Sequence, residues 1–180
     1  MRKDLSKILI VDVEATCWEG QPPGGETSEI IEIGCALYDL NLGKVVKKEG
    51  ILIRPSFSTV SPFCTQLTTI TTELLNDQGV TFQHAVAKLT EEYSTKHLTW
   101  GSWGDYDRKA FEKNSELFKT PYPFGSTHLN IKNLFALKYR LQKEVGMERA
   151  LGMLNLPLIG THHRGVDDSV NIASLFKALL

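Results

Sequence analysis

The chain has 180 residues, of which 42% are hydrophobic and 23% are charged, and its formal net charge is −1 at pH 7. This length and apolar content suit one domain with a substantial core, which we predict over residues 1–180. A near-neutral charge disfavours a protein that coats duplex nucleic acid with a basic surface, but it does not exclude an enzyme with a local acidic site.

The cysteines and the apolar runs limit the cellular setting. The three cysteines are odd in number and show no CxxC spacing, which favours reduced, buried thiols over a disulfide framework or a zinc site. No apolar run approaches membrane-spanning length, and the start MRKDLSK lacks the apolar stretch of a secretory signal. We therefore expect a cytoplasmic protein with no membrane partner, whose oligomeric state the sequence leaves unknown.

Three strands are predicted first. Residues 8–14 form an almost continuous aliphatic run with two acids, typical of a central strand covered on both faces. Residues 29–39 alternate in polarity, and residues 44–53 follow a segment of turn residues around Gly43, which predicts a hairpin or meander.

Helices and one or two further strands follow. Thr81 is expected to cap a helix with an apolar stripe at Phe82, Val86, Leu89 and Tyr93. A short strand is predicted over residues 97–103. Further helices are predicted over residues 107–118, 147–154 and 166–180. Another helix is expected after the cap residue Asn130, with Leu134, Leu137 and Leu141 on one face. This order predicts an α/β fold in which helices flank a mixed sheet.

Asp12 and Glu14 interrupt the most apolar predicted strand. Side chains two positions apart on a strand share a face, so both carboxylates converge on one place. Unpaired buried charges are costly and require protonation, a cation or a metal, although acids at a strand end can also reach solvent. A Gly- and Pro-rich loop over residues 15–28 follows directly, and such loops commonly shape substrate sites.

A second acidic segment contains Asp105 and Asp107. Asp107 shares a helical face with Ala110, Phe111 and Phe118, which predicts an inward-facing carboxylate at the start of the helix. Asp105 is expected in the preceding loop. An aspartate ahead of a helix is usually an N-cap, and this alternative stays open.

The third segment, residues 162–168, opens the last predicted helix. Asp168 aligns with the apolar stripe of Ile172, Leu175, Phe176 and Leu179, whereas Asp167 lies on a more polar face. Acids at a helix N-terminus are also favoured by the macrodipole, so a structural role is the alternative. Two histidines precede these acids with equal spacing, His162 to Asp167 and His163 to Asp168, so spacing alone does not choose between the pairs.

Together these segments resemble the DEDDh exonuclease family of the RNase H-like superfold over nearly the whole chain. VDVEATCWEG, SWGDYDRKAF and HHRGVDDSVNIA are similar to its three motifs in order, and IRPSFSTVSPFCTQLTTIT resembles the region between the first two. In close relatives a glycine is usual where Thr69 stands. The nearest branch contains the histone-mRNA and small-RNA trimming exoribonucleases and their bacterial relatives. The resemblance implies an RNase H-like mixed five-stranded sheet flanked by helices.

The resemblance also implies roles for individual residues. The implied ligands of two Mg²⁺ or Mn²⁺ ions are Asp12, Glu14, Asp107 and Asp168, and the implied catalytic residues are His163, as general base, and Glu14. Measured from His163, the small Gly165 and the aliphatic Val166 stand where the family has such residues, which favours His163 over His162. The implied substrate-binding residues are Ala15, Thr16, Trp18 and Tyr106, with Trp103 and Phe57 as further stacking candidates.

Phosphodiester hydrolysis explains this residue set. Two divalent ions about 4 Å apart activate the attacking water and stabilise the leaving oxygen, and oxygen ligands favour hard ions over zinc. A histidine of ordinary pKa near 6.5 accepts the water's proton at neutral pH. The implied function is 3′→5′ release of nucleoside 5′-monophosphates from the 3′ end of single-stranded RNA or DNA, with RNA favoured.

Two other functions compete with this hypothesis. A non-catalytic module that only binds single strands is disfavoured, because all five implied metal and base residues are present. A phosphodiesterase of very short oligonucleotides needs the same cluster of charges, so the sequence does not separate it from an exonuclease.

Overall fold

A computed structural model describes residues 4–180 of the chain. Its five strands are β1 (Asp4–Ala15), β2 (Ile30–Asp39), β3 (Lys44–Leu52), β4 (Leu98–Ser102) and β5 (His128–Asn130). The helices of this part of the chain are α1 (Pro62–Thr68), α2 (Thr72–Gln78), α3 (Phe82–Tyr93), α4 (Tyr106–Leu117), α5 (Ile131–Lys138), α6 (Met147–Met153) and α7 (Gly165–Leu179). No helix within residues 4–180 is long and apolar enough to cross a membrane.

The strands form one mixed sheet in the order β3-β2-β1-β4-β5. Strands β1, β2 and β3 pair antiparallel as a meander, whereas β4 pairs parallel with β1 and β5 pairs parallel with β4. The predicted mixed five-stranded sheet flanked by helices is therefore confirmed.

Strand β1 is covered on both faces, which explains its aliphatic run. Leu9 and Val11 pack in the core that contains Phe82 of α3 and Phe111 of α4. Residues of the opposite parity, beginning with Ile8, pack in a second core formed with α5, α6 and α7. Because Asp12 and Glu14 share the parity of Ile8, they belong to the face that α7 covers.

Helix α3 forms as predicted. The Thr81 hydroxyl accepts a hydrogen bond from the His84 amide at 3.2 Å, and the helix begins at the next residue, Phe82. The whole predicted stripe is buried in one core: Phe82, Val86, Leu89 and Tyr93.

The predicted apolar face of α5 is wrong. Asn130 does cap this helix, but Leu134 is 39% exposed and Leu137 is 74% exposed. The helix ends at Lys138, so Leu141 lies beyond it and cannot complete a stripe with those leucines. The buried face instead contains Ile131 and Phe135, which are four residues apart.

Three short elements, α1, α2 and β5, were not located from the sequence. Helix α1 has local signals, because the Ser61 hydroxyl accepts from the Cys64 amide and Pro62 opens the helix. It ends at Thr68, and the C-cap residue Thr69 has a φ of 62°, in the left-handed region. A glycine would adopt that conformation without steric cost, whereas Thr69 adopts it with a β-branched side chain.

Helix α7 crosses β2 at backbone contact distance. A Cβ atom added at Gly34 of β2 would overlap the Gly165 carbonyl group, and one added at Gly165 would lie 2.9 Å from the Gly34 nitrogen and 3.0 Å from the Asp12 carbonyl oxygen. Only paired glycines permit this approach. It brings the first turn of α7, which carries Asp168, beside the end of β1.

We predict that Gly34→Ala lowers the free energy of unfolding by about 1–3 kcal/mol or more, because the new methyl group must displace the backbone of α7. Urea denaturation followed by circular dichroism measures the change. Gly152→Ala is the matched control, since a Cβ there meets nothing within 4 Å, and should leave stability unchanged or slightly higher. Equal losses for both variants would contradict this account.

Candidate metal centre

Carboxylates from three elements converge at the end of β1. Asp12 and Glu14 lie on β1, Asp107 in the first turn of α4, and Asp168 in the first turn of α7. One carboxylate oxygen from each of Asp12, Glu14 and Asp168 lies within 4.8 Å of the others. All these acids line a cavity of about 310 Å³, whose other lining residues are Val13, Ala15, Cys17, Leu67, Trp103, Tyr106, His162 and His163.

Asp107 faces the centre, whereas Asp105 lies outside it. Asp107 is 3% exposed, and its Oδ1 accepts a hydrogen bond from the Val13 amide at 3.0 Å, which ties α4 to β1 between the two strand acids. Asp105 occupies the N-cap position without a side-chain cap bond and forms an ion pair with Arg108 at 3.4 Å. The predicted inward position of Asp107 is therefore what the structure has.

Asp168 is buried and only partly satisfied. Its Oδ2 accepts a hydrogen bond from the His163 amide at 2.9 Å and lies 3.0 Å from Nδ1 of His162. Its Oδ1 is buried without a hydrogen-bond partner among residues 4–180. An orphaned carboxylate oxygen beside two further acids is the arrangement that a hard divalent cation satisfies, so these residues fit a metal site.

Both histidines border the acids. The His162 and His163 rings stack with centroids 3.9 Å apart, and His163 has a left-handed backbone φ of 63°. Partial burial and the neighbouring His162 lower the pKa of His163, which favours a neutral imidazole at pH 7. The structure thus brings both candidate histidines to the cavity.

Mutual repulsion dominates the electrostatics of the centre. Burial, reinforced by Asp168 and Glu32, raises the pKa of Glu14 to about 8. Burial also raises the pKa of Asp107 to about 6. Burial, together with Asp107 and Glu14, raises the pKa of Asp12 well above its ordinary value. The cluster therefore disfavours full ionisation at neutral pH, and the acidic residues can hold divalent metal ions that relieve this repulsion.

A buried ion pair beside the centre was not predicted from the sequence. Glu32 of β2 is 1% exposed, and its Oε2 accepts from the Arg164 Nε and from the Gly165 amide, each at 3.0 Å. The pair joins the start of α7 to the sheet. An acid within the apolar run of residues 29–33 was the available signal, because such a position requires a cationic partner.

The predicted substrate-binding residues divide into two groups. Ala15 and Tyr106 line the cavity, as does the stacking candidate Trp103. Thr16 and Trp18 are not among the lining residues, and the Thr16 hydroxyl is engaged with the Ser58 hydroxyl at 2.9 Å and the Glu29 amide at 2.9 Å. The stacking candidate Phe57 packs on Phe118 away from the cavity, with centroids 5.7 Å apart. The sequence did not indicate the lining residues Val13, Cys17 and Leu67.

Comparison with known proteins agrees with this geometry. A family model described as "Exonuclease" matches residues 9–176. The chain is 31% identical to 3′-5′ exoribonuclease 1 of Homo sapiens, over 96% of this chain and 52% of that protein. It is 29% identical to the probable 3′-5′ exonuclease KapD of Bacillus subtilis, over 96% of this chain and 83% of that protein. The chain thus spans about half the length of the human relative.

A solved structure is similar over nearly its full length. The nuclease domain of 3′hExo, described as a DEDDh family member bound to rAMP, matches with a TM-score of 0.88 and 28% identity. The match covers 99% of this chain and 93% of that one. The expected RNase H-like fold and the resemblance to DEDDh exonucleases are confirmed.

We predict that Mg²⁺ or Mn²⁺ stabilises the protein most at alkaline pH. Folded Glu14 has a pKa of about 8 against 4.5 ordinarily, so the metal-free folded state binds more protons than the unfolded state between these values. Metal-free stability should therefore rise as pH falls from about 8 to 5. At an ion concentration of roughly 100 times the Kd at pH 8, the ions should raise Tm by about 5–10 °C at pH 8, and the same concentration should raise Tm by less at pH 5.5, measured calorimetrically against EDTA.

Two variants control that measurement. Asp12→Asn combined with Glu14→Gln should remove the ion-dependent rise in Tm, because the neutral amides no longer attract the ions. Asp105→Asn should keep it, since Asp105 does not line the cavity. A larger ion-dependent shift at pH 5.5 than at pH 8 would contradict the assignment of the cluster as a metal site.

Proposed function

This chain belongs to the exonuclease family, and from that premise we propose that it is a metal-dependent 3′→5′ exonuclease acting on single-stranded nucleic acid. The observation that carries the proposal is the convergence of Asp12, Glu14, Asp107 and Asp168 on one cavity that also contains His163. An acidic pocket repels a phosphate unless cations intervene, so this arrangement suits phosphodiester chemistry only with metal ions bound. A module that merely binds single strands has no need of such a cluster.

Each side chain has a defined task in this mechanism. The four carboxylates would hold two Mg²⁺ or Mn²⁺ ions, which supply charge stabilisation at the scissile phosphate. Neutral His163 takes the proton from the attacking water, and Asp168 fixes the position of this residue by accepting its amide hydrogen. Cleavage of the terminal phosphodiester bond gives a nucleoside 5′-monophosphate and a new 3′ hydroxyl group.

RNA is the favoured substrate of the proposal. The human relative is named an exoribonuclease, and the 3′hExo nuclease domain is described with bound rAMP, a ribonucleotide. DNA is the second candidate, because the choice depends on how the pocket treats the 2′-hydroxyl group. Digestion of matched RNA and DNA strands with Mg²⁺ and with Mn²⁺ compares them directly.

We predict stepwise shortening of a 5′-labelled single strand in the presence of Mg²⁺ or Mn²⁺, and none in excess EDTA. Asp107→Asn should abolish turnover, because it removes a charged ligand while it preserves shape. Asp105→Asn should retain most activity, since this side chain pairs with Arg108 outside the cavity. Gel analysis of product lengths decides the matter: cleavage of circular strands, or activity unaffected by chelation, would overturn the proposal.

A length series addresses the small-substrate alternative. A phosphodiesterase of very short oligonucleotides should have its highest kcat/KM on dinucleotides. The proposed exonuclease should process strands of ten or more nucleotides at least as efficiently.

We predict that His163→Ala lowers kcat by roughly 10²–10⁴-fold, the usual contribution of a general base. In the parent enzyme, kcat should rise with pH as the imidazole loses its proton. The midpoint should lie below about 6.5, because burial and His162 lower the pKa of His163. His163→Ala should remove this rise.

His162→Ala provides the matched comparison, because the two rings stack and both line the cavity. It should keep the rise of kcat with pH. A flat profile for His162→Ala together with a normal profile for His163→Ala would assign the base to His162.

A further inference from the structure

A groove along α4 lies next to the cavity of the metal centre. This α4 groove has a volume of about 200 Å³ and shares Ala15 and Tyr106 with the metal centre. Its remaining lining residues are Ser28, Lys109, Ala110, Lys113 and Asn114. The groove therefore adjoins the metal centre at Ala15 and Tyr106.

The α4 groove is lined by two exposed lysine side chains that form no ion pair with any residue of the described range 4–180. These side chains belong to Lys109 and Lys113. Arg108, on the neighbouring face of the same helix, is neutralised by Asp105 at 3.4 Å and by Glu112 at 2.9 Å. Within α4, the basic side chains that form no ion pair are therefore the two that line the groove.

The spacing of these lysines suits a phosphate backbone. Residues four apart on a helix lie about 6 Å apart along its axis, comparable with neighbouring phosphates on an extended strand. Tyr106, three residues before Lys109, is 60% exposed at the junction with the metal centre. An exposed aromatic ring between two subsites offers a surface on which a base can stack.

A second cavity next to the metal centre has a different lining. A cleft beside α1 meets the centre at Leu67, and its lining residues are Glu19, Pro62, Phe63, Gln66 and Leu67. This lining combines three apolar side chains with the carboxylate of Glu19 and the amide of Gln66, and it has no basic side chain. Such a surface suits a base more than a polyanion, so a strand's phosphates are better accommodated by the α4 groove.

We propose that the α4 groove binds the phosphodiester backbone on the 5′ side of the scissile bond, with Lys109 and Lys113 contacting successive phosphates and Tyr106 stacking on a base. This inference rests on the proposed function, since it assigns the path by which a single strand leaves the metal centre. The lysines also offset the repulsion that the acidic centre exerts on an approaching strand. Affinity for long strands therefore depends on a site separate from the metal ligands.

Steady-state kinetics of Lys109→Gln/Lys113→Gln on a dinucleotide and on a 12-nucleotide single strand test this assignment. KM for the 12-mer should rise roughly tenfold at low salt with kcat unchanged, because two exposed charge contacts are lost. KM for the dinucleotide should not change, since it has no phosphate that reaches the groove. The slope of log KM against log salt concentration for the 12-mer should fall by about 1.4, the value for two phosphates on a single strand.

Two variants separate local from general effects. Lys44→Gln/Lys48→Gln makes the same charge change at exposed lysines of the edge strand β3, and it should leave KM for the 12-mer unaltered. Lys109→Arg/Lys113→Arg should preserve the parent KM and salt slope. An unchanged KM and slope for the glutamine variant on α4, or an equal effect of the β3 variant, would overturn the proposal.

A binding measurement keeps this test independent of hydrolysis. Fluorescence anisotropy gives the Kd of the 12-mer for proteins that also carry Asp107→Asn, which prevents cleavage. The α4 glutamine variant should bind the 12-mer roughly tenfold more weakly than its parent. Equal Kd values would refute the proposal that the α4 groove binds the strand. Failure of the unsubstituted protein to shorten any strand would instead overturn the proposed function.

Discussion

Repulsion among buried carboxylates is the constraint on which the rest of this structure depends. The β1 pair, Asp12 and Glu14, lies on the face covered by α7, and Asp107 and Asp168 close the cluster from two helices. Burial and proximity raise the pKa of Glu14 to about 8, so ionisation of the metal-free centre opposes folding at neutral pH. Backbone amides donate to Asp107 and Asp168, and the surrounding fold must hold the like charges together by further contacts outside the cluster.

Those contacts are backbone packing and one buried ion pair. Gly34 and Gly165 allow α7 to lie directly against β2, and Glu32 receives both the Arg164 side chain and the Gly165 amide. Arg164 lowers the pKa of Glu14, but Glu32 raises it by more, so the ion pair fixes the position of α7 without relieving the repulsion at Glu14. Large apolar cores on both faces of the sheet supply the remaining stabilisation. Rigidity and function are linked here, because a rigid acidic centre is pre-organised for cations.

The sequence predicted the features that follow from strong local patterns. The alternation in β1 placed Asp12 and Glu14 on one face, and the stripe of α7 placed Asp168 inward, as the structure has them. The α5 stripe failed because Lys138 ends the helix before Leu141, and apolar spacing does not report helix length. The contact between Gly34 and α7 is formed by residues far apart in the chain, so no local pattern encodes it.

The near-neutral net charge conceals two regions of opposite charge in the structure. A net charge of −1 combines an acidic cluster inside the cavity with free lysines along one face of α4. The metal-free centre therefore repels a polyanionic strand, whereas the lysines of the α4 groove attract it. In the proposed function, cations held by Asp12, Glu14 and Asp168 would reverse the repulsion, so metal binding would control both the chemistry and the admission of the strand's 3′ end. The net charge sums these opposing regions. It therefore disfavoured a basic surface that coats duplexes, but it did not exclude a nucleic-acid substrate.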